Sequence, residues 1–118
     1  MNTLFGIYGT HTTRECPLND RNSAESVLDM SSKCKNEQVL KKYKIIKIIG
    51  QYHSALEHWF LWILEAENAH LIEKFCIDIE MAKYNRVKIV PLNTFEAVVQ
   101  KISYSASPTP TRSTSSSS

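Results

Sequence analysis

Six consecutive apolar residues, Trp59-Phe60-Leu61-Trp62-Ile63-Leu64, form the second arm of a hairpin running from Lys44 to Ala66, and they restrict the fold more than any other segment. A strand sends alternate side chains to opposite faces, so Trp59, Leu61 and Ile63 share one face and Phe60, Trp62 and Leu64 the other. Both faces need a cover. Helices of the same chain supply one. With 118 residues and 42% hydrophobic content, a single domain has little left for the second, which calls for a partner subunit or a bound apolar ligand.

The rest of the chain supplies the elements around this hairpin. Its first arm, Lys44 to His53, carries Ile45, Ile46, Ile48 and Ile49 on both faces, and Ser54-Ala55-Leu56-Glu57 is the predicted turn. Upstream, Leu4 to His11 reads as a strand in which Gly6 and Gly9 mark a bulge or a close approach by another group. A loop over 12–21 contains Cys16-Pro17 and Asn19-Asp20. Asn22-Ser23-Ala24-Glu25 has the form of a capping box opening a helix striped by Ala24, Val27, Leu28 and Ser31. The apolar face resumes at Val39, Leu40 and Tyr43 after a polar interval that divides the helix in two. Downstream, Asn68 caps a helix predicted over 69–83, with Leu71, Ile72, Phe75, Ile79 and Ala82 at helical spacing. Arg86 to Val90 is a short strand, and Thr94 caps a last helix striped by Phe95, Val98, Val99 and Ile102. Residues 1–102 form one domain, and the Ser/Thr/Pro-rich stretch 103–118 is expected to be a disordered tail.

The order β-α-β-β-α-β with a C-terminal helix defines an α+β, ferredoxin-like fold, a four-stranded antiparallel sheet with helices on one face. Two local segments, Gly9-Thr10-His11-Thr12 with Cys16-Pro17-Leu18 and Gly50-Gln51-Tyr52-His53-Ser54-Ala55-Leu56-Glu57-His58, are similar to small uncharacterised archaeal proteins of the dimeric α/β-barrel superfamily. The chain resembles that superfamily from Leu4 to Ile102. The resemblance implies a homodimer in which two sheets pack open face to open face. The superfamily spans monooxygenases, isomerases, stress-response proteins and metal-binding proteins, so the likeness implies an architecture and no particular activity.

Charge and cysteine usage narrow the function classes. The net charge is +2, from 14 basic and 12 acidic residues, with no basic stripe of the kind nucleic acids require. No apolar run approaches the roughly 20 residues of a membrane span, and the N-terminus lacks the pattern of a secretory signal. Cys16, Cys34 and Cys76 are odd in number and form no CxxC pair, which fits reduced thiols in a cytoplasmic protein.

Chemistry has few places to sit. Taking the first and third strands as parallel neighbours sorts the four histidines into two groups at opposite ends of the sheet. His11, Cys16 and His70, with Glu65 and Glu67, form the first; two imidazoles and a thiolate suit Zn, Cu or Ni. His53 and His58 form the second, expected as cross-strand partners that share a metal or a proton across the turn. The competing structural reading makes these solvated or backbone-bonded histidines. Tyr8, His11, Tyr52 and Trp62 are the candidates to line a pocket for a small apolar or aromatic ligand. Three functions follow as expectations. The first is a ligand-binding homodimer with no cofactor. The second is a cofactor-independent monooxygenase or isomerase with His11, His53 or His58 as base. The third is a transition-metal-binding protein.

Overall fold

The computed structural model describes residues 2–106. Its elements are β1 (Thr3–Thr10), α1 (Arg21–Cys34), α2 (Glu37–Lys42), β2 (Ile45–Ser54), β3 (Trp59–Ala66), α3 (Ala69–Asp78), β4 (Arg86–Leu92) and α4 (Phe95–Ala106), with a single 3-10 turn at Met81–Lys83. The strands form one four-stranded sheet in the order β2-β3-β1-β4, and every pairing is antiparallel. This is an α+β architecture.

The antiparallel β1–β3 pair overturns the expected parallel one. Helices α1 and α2 carry the chain back so that β2 runs in the direction of β1; the hairpin then reverses it, and β3 must oppose β1. Thr10 therefore pairs with Trp59 and Thr3 with Ala66. The end of β1 at His11 meets the hairpin loop, while Glu65 lies beside Leu4 at the far end. The predicted first histidine group is thus separated, and His11 joins the second.

One sheet face carries the core. Phe5 and Ile7 of β1, Phe60, Leu64 and Ala66 of β3 and Ile45 of β2 pack with Met30 and Cys34 of α1, Tyr43, and Ile72, Phe75 and Cys76 of α3. Phe75, Ile72 and Leu64 are fully buried, each worth roughly 1.5–3 kcal/mol relative to exposure. Gly9 pairs with Phe60, whose ring fills the space that a Cβ at position 9 would need. Glycine is there for that close approach. The opposite face bears Tyr8, Trp59, Leu61 and Ile63, and Tyr8 stacks on Trp59 with ring centroids 6.4 Å apart.

Local chemistry sets the helix ends. The α1 cap is Asp20, whose carboxylate accepts from the Ser23 amide at 2.8 Å, so the helix starts earlier than the expected Asn22 box. Asn68 caps α3 as expected. Helix α3 ends at Asp78 rather than 83, because Glu80 adopts the left-handed conformation (φ 66°) and breaks the ladder. The Tyr43 hydroxyl donates to Asp78 at 2.5 Å, tying the end of α2 to the end of α3. Helix α4 runs past Ile102 to Ala106, into the expected tail; the remainder of that tail, from 107, lies outside the described residues. The α4 residues Phe95 and Ile102 are strongly exposed, and Val98 and Val99 about half as much. No described helix is long and apolar enough to cross a membrane.

Candidate functional site

The site forms where β1 ends, the β2–β3 loop turns and β4 begins. Ser54 pairs with Trp59 and His53 with Phe60, so the hairpin loop is Ala55 to His58, one residue later than predicted. His53 and His58 are consequently not cross-strand partners. His58 closes the loop at φ 53°, and its carbonyl accepts from the His11 amide at 3.1 Å. That bond extends the β1–β3 ladder and holds the two histidines side by side.

Cys16 reaches the same point from the β1–α1 loop. Its carbonyl accepts from Asn19 and Asp20 at 2.8 and 2.9 Å, a tight turn that leads into the α1 cap. The thiol is 1% exposed. One donor atom from each of His11, Cys16 and His58 lies within 4.8 Å of the other two. Around a bound transition metal, such atoms sit roughly 3.3–3.9 Å apart, so side-chain rotation of about 1 Å closes the set.

The protonation of His11 follows from its neighbour. Asn85 Nδ2 donates to the Met81 carbonyl at 2.9 Å, which fixes the amide and turns Oδ1 toward His11 Nδ1, 2.8 Å away. Oδ1 can only accept, so His11 Nδ1 carries the proton and Nε2 presents its lone pair. His11 Nε2 and His58 Nδ1 are both shut off from solvent and have no hydrogen-bond partner among the described residues. Two buried imidazole nitrogens without partners cost about 1–3 kcal/mol each, which a shared cation would offset.

Aromatic neighbours complete the wall. His53 stacks on His11 with centroids 5.5 Å apart and planes 7° from parallel, and Tyr84 lies 5.9 Å from His11. Partial burial, then the adjacent His11 and His58, push the His53 pKa below its usual 6.5. Burial also raises the Tyr84 hydroxyl, with Cys16 nearby adding to the effect. His11 further borders a cavity of about 280 Å³ lined by Pro17, Leu18, Met30, Phe60 and Trp62, with Tyr52 and His53 from the edge strand.

The structure therefore regroups the candidates. His11, Cys16, His58 and His53 come together. His70 does not: it is exposed on α3, 3.7 Å from Glu73, away from Cys16. Trp62, Tyr52 and His11 share the cavity, whereas Tyr8 lies on the opposite face of the sheet against Trp59. Asn85 and Tyr84 were not singled out in the sequence. The signal was in the register: Thr10 pairs with Arg86, so Asn85, the residue just before β4, falls beside His11.

No family model matches the chain, and no curated protein matches it. Among solved structures, a conserved protein of unknown function from Bacteroides thetaiotaomicron, described as a possible oxidoreductase, is similar at 9% identity and TM-score 0.50, over 79% of this chain and 97% of its own. An uncharacterized protein from Thermotoga maritima is similar at 15% identity and TM-score 0.42, over 79% of this chain and 100% of its own. At such identities the first likeness shows the fold alone.

Proposed function

We propose that this protein binds a transition metal through His11, Cys16 and His58. A small apolar ligand occupies the adjoining cavity, and the chain acts as a homodimer of ferredoxin-like units. The metal reading is carried by the closeness of one donor atom each from His11, Cys16 and His58, together with the burial of His11 Nε2 and His58 Nδ1 without a hydrogen-bond partner among the described residues, Asn85 holding the His11 ring in the metal-ready tautomer. The ligand reading rests on the cavity of about 280 Å³, near the lower end of small-molecule sites, with Phe60 and Trp62 as its aromatic wall.

The dimer reading rests on two apolar surfaces the fold leaves uncovered: the outer sheet face with Tyr8, Trp59, Leu61 and Ile63, and the α4 stripe with Phe95 and Ile102. A second copy presents the same pair of surfaces and can satisfy both. Metal analysis of purified protein tests the first claim: one metal per chain, lost in Cys16→Ser, supports it, and metal-free protein that refuses Zn, Cu and Ni refutes it. Sedimentation tests the last, since a strictly monomeric species at micromolar concentration is incompatible with it.

A further inference from the structure

Resting on the metal-centre reading above, we infer that the ion this site is built for is cuprous copper, held three-coordinate by His11 Nε2, His58 Nδ1 and Cys16 Sγ. Two features of the donor set, its ligand number and its charge, point away from a divalent ion. Among the described His, Cys, Asp and Glu residues the mutually close group has three members, none of them a carboxylate. Glu15, the acid nearest in sequence to Cys16, is bound to Thr12 at 3.1 Å on the exposed side of the loop. Zinc held by three protein ligands takes a water or substrate as its fourth, and the donor atoms here are shut off from solvent, whereas a soft monovalent d10 ion is satisfied by one thiolate and two imidazoles.

Charge gives the same answer. Both nitrogens are closed to solvent and Cys16 is 1% exposed, so the ion enters a low-dielectric position. A divalent cation with one thiolate and two neutral imidazoles leaves a net charge of +1 there, with no buried anion to pair it. A monovalent cation leaves zero. Burying an unpaired charge is the costlier outcome by several kcal/mol.

The other thiols do not compete for the ion. Cys34 and Cys76 are buried in the core outside the donor group, their pKa values pushed up by desolvation to about 11 and about 12. His53 stacks on His11 but lies outside the donor group and is open to solvent. It borders the site without closing it.

The test titrates reduced, metal-free protein under argon with cuprous ion presented as its bicinchoninate complex, and separately with zinc presented on a chromogenic pyridylazo chelator. Expected is one cuprous ion withdrawn per chain, and an X-ray absorption spectrum of one sulfur and two nitrogen neighbours. Cys16→Ser and His58→Asn should each weaken it by at least roughly 100-fold, asparagine being chosen because it tolerates the left-handed backbone at 58. His53→Gln and Cys34→Ser should retain it. Zinc held four-coordinate as tightly as copper overturns the copper assignment and leaves the metal centre standing. Copper that persists in Cys16→Ser overturns the assignment of ligands, and refusal of both ions overturns the metal centre as well.

Discussion

Asn85 is the residue on which the proposed metal site most depends, and replacing it separates two effects. Its side chain is buried, accepts from His11 Nδ1 at 2.8 Å and donates to the Met81 carbonyl at 2.9 Å. Asn85→Ala removes both bonds and leaves a buried ring N–H and a buried carbonyl without partners, at about 1–3 kcal/mol each. Because the two groups lie in one network, a total loss of about 2–4 kcal/mol in unfolding free energy is expected from urea titration. The His11 ring is then free to rotate and to place its proton on Nε2, which closes that ligand position. Metal affinity should fall roughly 10–100-fold, or about 1.4–2.7 kcal/mol, by chelator competition. Asn85→Asp keeps the acceptor for His11 but not the donor to Met81, so it should recover affinity more than stability. Unchanged affinity in a folded Asn85→Ala protein refutes the reasoning.

Gly9→Ala should displace the Phe60 ring that occupies its Cβ position, costing about 1–3 kcal/mol by thermal unfolding and altering the cavity that Phe60 lines; a neutral effect contradicts the close approach. The Tyr43–Asp78 hydrogen bond raises the phenol from 10.0 to about 12 and lowers the carboxyl from 3.8, so its stabilising contribution is complete between 3.8 and 10.0. It is lost as pH falls through the lowered carboxyl value or rises from about 10 toward about 12. Tyr43→Phe should therefore lower the Tm at pH 7, with the gap to wild type closing at alkaline pH; a gap independent of pH refutes the pairing.

Much of the architecture was legible because periodicity reports burial directly. The 59–64 run alternates between a core face and an outer face as read, and the α3 stripe is buried at Ile72 and Phe75, whereas Leu28 of the α1 stripe and the α4 stripe are exposed. What failed was direction and register. Reading β1 and β3 as parallel sent His11 toward Glu65 and His70, whereas the β2–β3 hairpin reverses the chain and brings it to His58. A one-residue shift of the hairpin loop then removed the expected His53–His58 pair. His58 takes a positive φ, which a histidine adopts uncommonly and no local pattern announced. Tyr8 was assigned to the pocket without regard to its face; as the residue following Ile7, which is buried in the core, it must point outward. Asn85 carries no motif, and its role arises only from the β1–β4 register.

Nitrogen-resolved NMR of 15N-histidine-labelled protein addresses the metal centre most directly. On addition of one equivalent of cuprous ion or zinc, His11 Nε2 and His58 Nδ1 should shift to values typical of metal-bound nitrogen. His11 Nδ1 should keep its proton, and His70 should not respond. Free-imidazole signals for His11 and His58 at saturating metal, or a shift confined to His70, contradict it.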